Sequence, residues 1–395
     1  MSSELTPGPW LQLTALGAAA ATLVAVVSGT VGAGAAHSLL SALALPPLVA
    51  VTAAAWFAHR RLLPAAVAAL ALFGAAALVT APGLHTALAA VAFAASLVLA
   101  AQCFGGERAS NGPWRDYVTL TKPRIMTLLL LTGAAGMFVG AGGVPAWGSF
   151  LAAMTGLALA CGGASALNHV LDADIDRLMG TRTERRPVAS GRVPPSRALE
   201  FGLALSALSF VLLASTVNTL TAALALVGNL FYVVVYTRWL KRSTPQNIVI
   251  GGAAGAVPPL VGYAAATGDL GLPALWLFLI VFLWTPPHFW ALALLIKESY
   301  AAARVPMLPV VRGDEETTRQ ILLYSLVLVA FSTWVGLWLG PVYTCAAVVL
   351  GGILLWLSWI VRREPSRRNA GVLFHYSLLY LALLFVAAAL DPVLL

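Results

Sequence analysis

The sequence predicts an all-α fold, a polytopic transmembrane helix bundle, and three observations carry that expectation. The first is composition. Of the 395 residues, 60% are hydrophobic and only 10% are charged, with a mean hydropathy of +0.89, where a soluble domain carries about 25% charged residues. The second is run length. A transmembrane helix needs roughly 20 mostly apolar residues to cross ~30 Å of hydrocarbon. The chain offers such windows near 11–31, 39–58, 62–80, 86–104, 125–142, 148–168, 197–216, 219–237, 246–267, 273–295, 319–339, 343–361 and 371–390. They are unbroken, whereas outer-membrane strands alternate over about 10 residues. The third is the placing of charge. All 23 Lys and Arg fall in six stretches, near 59–61, 105–124, 177–197, 238–245, 297–319 and 362–368.

Those six stretches are every second connection of the map. The positive-inside rule puts them in the cytoplasm, with the N-terminus inside and the C-terminus outside. Opposite connections such as Gly340–Val342 and Thr267–Leu272 hold no basic residue. The net charge of +8 is therefore topological, and a nucleic-acid partner is not indicated. Cys103, Cys161 and Cys345 are scattered, so neither a disulfide framework nor a zinc site is expected. Lys is confined to Lys122, Lys241 and Lys297, a bias that points to a GC-rich bacterial genome and an inner-membrane location, in contact with membrane lipid.

Along the chain, the start MSSELTPGPW carries Glu4 and no positive n-region, so no cleaved signal peptide is expected. The first four spans are poor in polar side chains. The polar segment GGERASNGPWRD at 105–116 then marks a boundary. Residues 1–110 read as a four-helix extension and residues 117–395 as a nine-helix unit. In that unit, long loops at 177–196 and 297–318 are dense in Arg, Lys, Pro and Gly. Loops of this length are functional or disordered.

The sixth span ends in SALNHVLDADIDRLMG. Asn168, Asp172 and Asp176 are spaced i, i+4, i+8, which places them on one helix stripe roughly 80° wide and ~12 Å long. Asp174 points to the other side. Carboxylates at a membrane surface are costly to bury alone, and Mg²⁺ takes oxygen ligands and bridges carboxylates to phosphates. Arg177, Arg182, Arg185, Arg186 and Arg192 follow directly. Carboxylates, a metal and an arginine cluster make a diphosphate site; the alternative is a solvated acidic helix end. A second cluster, FLWTPPHFWALALLIKESYAAARVPMLPVVRG, carries Lys297, Glu298, Tyr300 and Arg304, with Trp284, His288, Phe289 and Trp290 deeper. These rings either stabilise an allylic cation or pack. His288 is a haem ligand, a base or a packing residue. In a third set, YTRWLKRSTPQNIVIGGAAGAVPPLVGY, Lys241 and Arg242 end one helix and Asn247 opens the next. Gly251, Gly252 and Gly255 favour close packing, and Pro258 and Pro259 should kink that helix.

These strings resemble the UbiA-type intramembrane prenyltransferase superfamily. The stripe Asn168–Asp172–Asp176 looks like its first aspartate motif. LTKPRIMTLLLLT at 120–132, LKRSTPQNIVIGGAAGAVPPLVGY at 240–263, FLWTPPHFWALAL at 282–294 and VPMLPVV at 305–311 look closer still to its haem-farnesylating branch. The resemblance implies a nine-helix core with about four additional N-terminal transmembrane helices. It implies transfer of farnesyl from farnesyl diphosphate to a vinyl group of haem B, with addition of water, giving haem O. It implies that Asn168, Asp172 and Asp176 bind Mg²⁺ and the diphosphate, that Lys122, Arg124, Arg182, Arg186 and Lys241 contact the diphosphate, and that Lys297 and Tyr300 belong to the second motif. Trp284, His288, Phe289, Trp290 and Asn247 are the candidates for the haem or prenyl chain. The family has an acidic residue directly before that Tyr; here Ser299 stands there, and Glu298 is the candidate replacement as a metal ligand. Two other readings are carried: prenyl transfer to a quinone-precursor ring or chlorophyll-type acceptor, and a non-catalytic haem-binding assembly or transport protein. The first four spans hold His37, His59 and His85. With AHRR and LHTALAA they resemble half of a haem A synthase bundle, which makes haem A synthase a candidate partner. Half a bundle lacks the second set of ligands, so a structural or regulatory role is expected for them.

Overall fold

Helix is the only secondary structure that satisfies every backbone N–H and C=O within one apolar segment, and the described residues follow that rule. The computed structural model describes residues 9–30, 35–57, 62–78, 92, 96 and 114–394. Of the N-terminal extension, α1 (Pro9–Thr30), α2 (Ala35–Phe57) and α3 (Leu63–Leu78) are described. Of the expected fourth span only Ala92 and Ser96 are described; His59, His85 and Cys103 fall outside the described residues, as does the side chain of His37. Val26 of α1 and Ala76 of α3 join a buried cluster with Leu157, Phe210 and Leu213 of the following unit.

The second unit begins with the short α4 (Trp114–Leu120) and continues through α5 (Pro123–Ala141), α6 (Trp147–Leu171), α7 (Ala173–Leu178), α8 (Thr181–Glu184), α9 (Pro195–Thr216) and α10 (Thr219–Leu230). A π-helical segment, Phe231–Leu240, and α11 (Lys241–Ser243) extend α10 as one continuous rod. Then come α12 (Asn247–Thr267), α13 (Leu272–Leu295), α14 (Lys297–Ala302), α15 (Leu308–Leu339), α16 (Pro341–Arg363) and α17 (Arg367–Leu394). Among the described residues, nine helices are long and apolar enough to cross a membrane, all in this unit. They coincide with the nine spans expected there.

Packing divides these helices in two. α6, α9, α10 and α12 pack in sequence, and α13, α15, α16 and α17 form the other half. α5 joins them, touching α6, α12 and α17. Its contact with α12 brings backbone against backbone. A Cβ on Gly136 would collide with the Pro259 carbonyl, and one on Gly262 with the Gly133 carbonyl. Helices without a hydrophobic driving force between them associate through such small-residue contacts. Gly251 and Gly252 do serve packing, against Tyr236 and Thr285, but Gly255 faces open space. Pro258 and Pro259 lie inside a helix that continues through them to Thr267.

The two long loops, 177–196 and 297–318, are folded rather than disordered. Residues 187–193 fold back over α4 and α9, burying Val188 and Val193. The 297–318 stretch is mostly helical. Met307 caps α15, with proline in its first turn, and α15 breaks only at Gly313, whose φ of 79° lies in the left-handed region open to glycine. At the opposite end, Asp391 of α17 accepts the Val342 and Tyr343 N–H groups at 3.2 and 2.6 Å, capping α16 across helices.

Candidate functional site

α6 ends at Leu171, yet its hydrogen-bond ladder carries on. Asp172 N–H donates to Asn168 O at 2.9 Å and Asp176 N–H to Asp172 O at 2.8 Å. The stripe therefore survives the helix boundary, and Asn168, Asp172 and Asp176 are 3%, 1% and 1% exposed. Asp174 faces away and is exposed.

Each stripe residue is met by a cation from a different element. Lys122 Nζ donates to Asn168 Oδ1 at 2.6 Å, Lys241 Nζ to Asp172 Oδ2 at 2.5 Å, and Arg186 to Asp176 Oδ1 at 2.6 Å. Asn168 Nδ2 in turn donates to Asp172 Oδ2 (2.8 Å) and to Thr237 Oγ1 (3.1 Å). Two carboxylates thus face three cations, leaving one positive charge in excess. The other oxygens, Asp172 Oδ1 and Asp176 Oδ2, are buried and have no partner. A buried carboxylate oxygen left unpaired is costly, so the stripe is built to receive something.

Local structure explains how the cations get there. Lys122 links α4 to α5 with φ 49° and ψ 60°, a left-handed conformation that costs a non-glycine residue energy and that concentrates at functional sites. Lys241 follows the π-helical segment, which also presents Thr237; the Thr237 hydroxyl donates to Tyr232 O, five residues back, at 2.9 Å. Arg186 sits on the turn after α8. That turn is anchored by Arg192, which grips Asp116 through Nε and Nη2 at 3.1 Å and donates to Arg185 O at 2.9 Å. Arg177 donates to Ala189 O and Thr183 to Asp176 O. Arg242 forks onto Asp174, both contacts at 2.7 Å, and caps the end of α6 through Leu171 O.

These surroundings shift the titrating groups that lie outside the spans. Desolvation, reinforced by Arg186, brings Lys122 down to about 7. Burial pushes Asp176 up against the opposing pull of Arg186. The Arg242 fork holds Asp174 down at about 2. Burial raises Tyr300 to about 12.

Not every candidate joins this cluster. Arg124 is exposed at the start of α5 and makes no ion pair among the described residues; the side chain of Arg182 falls outside them. Lys297 pairs instead with Asp314 at 2.7 Å. Glu298 is exposed on α14, so the structure does not bring it to the stripe. Tyr300 does come close, packing with Ile175, Ile248, Tyr236 and Phe289. This apolar group connects the stripe to α13. There the His288 ring stacks between Trp284 and Phe374, with centroids at 4.3 and 4.7 Å, and its Nδ1 lies 2.7 Å from Ser377 Oγ. Trp284 donates to Ser377 O. Trp290 and Asn247 are buried, and Trp290 Nε1 and Asn247 Oδ1 have no partner. Sequence reasoning missed Thr237, Asp116 and His169. Only His169 carried a signal, as a polar residue inside the motif.

The UbiA prenyltransferase family model matches residues 129–384. A Protoheme IX farnesyltransferase of Symbiobacterium thermophilum is 56% identical over 282 residues, which is 70% of this chain and 94% of that one. One from Synechocystis is 50% identical over 70% of this chain and 89% of its own length. Another, from Roseiflexus castenholzii, is 52% identical over 70% of this chain, which spans about half (52%) of that longer relative. Among solved structures, one of digeranylgeranylglyceryl phosphate synthase superposes with a TM-score of 0.60 at 18% identity, covering 71% of this chain and 99% of that one. A UbiA homologue from Archaeoglobus fulgidus, bound to GPP and Mg²⁺, gives 0.50 at 17% identity, covering 69% and 99%. At these identities the likeness is one of fold, and it is the fold of the nine helices described above. With the family model spanning well over half of its length, the chain belongs to the UbiA prenyltransferase family.

Proposed function

We propose that this multi-pass membrane protein transfers the farnesyl group of farnesyl diphosphate to a vinyl group of haem B, with addition of water, giving haem O and diphosphate. The single observation that carries the prenyl-transfer chemistry is the buried stripe with a cation on each residue and an unpaired oxygen on each aspartate. The haem acceptor rests on the 56% identity to a Protoheme IX farnesyltransferase.

The donor set fits Mg²⁺. Asp172 Oδ1, Asp176 Oδ2 and Asn168 supply hard oxygens, and no group of three or more His, Cys, Asp or Glu gathers among the described residues. That suits an ion held by one or two carboxylates plus substrate phosphates rather than by a protein cage. Bound there, Mg²⁺ would neutralise charge on the diphosphate. The remaining work falls to the chain. Lys122, Lys241 and Arg186 draw the diphosphate in and stabilise the negative charge that grows as its C1–O bond breaks. Tyr300, Tyr236 and Phe289 give the farnesyl chain an apolar path and keep water from the allylic cation. The haem vinyl group then attacks C1, the positive charge moves to the vinyl carbon next to the porphyrin, water adds its hydroxyl there, and a proton leaves. His288, held by Ser377 and stacked on Trp284 and Phe374, directly precedes Phe289 on α13 and is the candidate for contact with the porphyrin. By the positive-inside rule the stripe opens to the cytoplasm of a bacterial inner membrane.

Expression in cells lacking their own haem O synthesis, followed by haem analysis by mass, tests the reading. Farnesylated haem supports it; unchanged haem B, bound by the protein, supports a carrier; a prenylated quinone precursor supports the other acceptor.

Lys122 adds a pH signature. With its ammonium near 7, the charged form dominates below neutrality and is lost as pH rises through that value. Affinity of the free site for Mg²⁺-pyrophosphate should therefore fall between pH 6 and 8.5, by about three- to tenfold. Lys122→Arg, which stays charged, should lack that fall; an identical profile would remove Lys122 from the diphosphate site.

We also propose that residues 1–110 are dispensable for farnesyl transfer, because the second unit holds the stripe, its three cations and the nine helices that, among the described residues, are long and apolar enough to cross a membrane. A chain starting at residue 111 should insert and keep at least about a third of the haem O formed per mole, the loss reflecting only weakened packing. An inserted but inactive truncation would overturn this and make His37, His59 and His85 the next residues to change.

A further inference from the structure

His169 is a buried polar side chain next to the stripe that the mechanism above does not use. It follows Asn168 in α6, is 2% exposed, and neither of its ring nitrogens has a partner. One turn earlier, Ser165 donates to Leu120 O at 2.6 Å, so this face of α6 lies under the link between α4 and α5. Lys122 is bonded to Asn168, the residue directly before His169, and Arg186 to Asp176 further along the same stripe.

A neutral imidazole has one N–H donor and one lone pair. A lone pair is easily served between two cations. The N–H is not, because an ammonium and a guanidinium accept nothing, and no acceptor among the described residues meets it. An unmet donor in a buried position calls for a ligand. The surrounding charge is positive, so the ligand is an anion and not a metal ion. A leucine or phenylalanine would fill the same space without the cost of two orphan nitrogens.

We propose that His169 is a diphosphate-binding residue, its ring N–H donating to a non-bridging phosphate oxygen of the prenyl diphosphate between Lys122 and Arg186. The assignment rests on the diphosphate reading of the stripe. It adds to that site a neutral, directional donor where the other contacts are charges. A fixed N–H selects the orientation of a phosphate, which a flexible ammonium does not.

The test is calorimetric binding of inorganic pyrophosphate with Mg²⁺ to the full chain, alongside kcat and KM for farnesyl diphosphate. His169→Leu should weaken pyrophosphate binding by about tenfold, the scale of one lost hydrogen bond to a charged group, with thermal stability kept or raised. His169→Gln carries an amide N–H to the reach of Nε2, and His169→Asn to that of Nδ1. One of the two should recover most of the affinity and so identify the donating nitrogen. Binding by His169→Leu at wild-type affinity would overturn the proposal, and so would equal losses in Leu, Gln and Asn, which mark a packing role. If the Leu variant does not insert, the contrast between Gln and Asn decides alone. Lys241→Gln separates the two layers of the argument. If wild type binds pyrophosphate and Lys241→Gln does not, the diphosphate site stands whatever His169 does; if wild type does not bind it, both readings fall.

Discussion

Asp172→Ala and Asp176→Ala should each reduce haem O formation by about 10³-fold or more, the scale on which losing a metal–phosphate contact raises a barrier. Each carboxylate has two jobs in the structure. One oxygen holds a cation, Lys241 or Arg186, and the other is buried and unpaired. Alanine removes the unpaired oxygen proposed to hold the metal and also leaves the cation without its counterion, which is costly when buried. Asp172→Asn and Asp176→Asn keep the volume and separate these effects, since the amide fills the space but binds Mg²⁺ poorly. The internal control is Asp174→Ala, two residues away on the opposite face and paired with Arg242 at the surface. Surface pairs contribute little, so its activity should stay within about tenfold of wild type. Activity per mole of inserted protein is the measurement. Near-normal turnover in Asp172→Ala, or an equal collapse in Asp174→Ala, would remove the stripe from the chemistry.

Gly262→Ala should cost most of the folded protein. A single added methyl at Gly262 meets the carbonyl and backbone of Gly133 and the amide of Met137. These are backbone atoms of a neighbouring helix, so no side chain can rotate out of the way. α5 and α12 must separate, at a cost of about 1–3 kcal/mol or more, and α5 is the helix whose first turn carries Lys122 into the site. The yield of monodisperse protein and its melting temperature should both drop, and residual protein should bind pyrophosphate weakly. Gly255→Ala is the matched control. It lies on the same helix, its methyl meets nothing within 4 Å, and alanine favours helix by about 1 kcal/mol. A Gly262→Ala variant as stable as Gly255→Ala would mean that the two helices are not in contact in the membrane.

What the sequence revealed and what it hid divide along a physical line. Hydropathy and charge are local sums, so the nine spans and the grouping of basic residues at alternate connections could be read directly. The aspartate stripe is also local, because three residues four apart share a face whatever surrounds them. Partner identity is not local. Lys122 and Lys241 reach the stripe across 46 and 69 positions, and nothing in the KPR or LKR strings says which carbonyl or carboxylate each will meet. The anchoring of Arg192 on Asp116, 76 positions apart, was hidden for the same reason. It turns a segment that composition alone leaves as loop or disorder into a fixed arm. Glu298 shows the converse. Its type and place in the motif nominate it, but a side chain on the exposed face of α14 cannot reach a buried stripe. Thr237 gave no signal because π-helical winding has no marked composition.

That winding has a consequence of its own. An α-helix advances about 100° per residue, whereas the Phe231–Leu240 segment closes its bonds five residues apart and turns more slowly. The angular position of everything after it, Lys241 and Arg242 included, is therefore a property of the whole segment and not of any side chain in it. Were the same ten residues to wind as an ordinary helix, each would add more rotation, and the end of the rod would face a different way. Asp172 would lose its lysine although every functional residue is still present. A search for essential side chains would pass over this segment, because its contribution is its winding and not any one group.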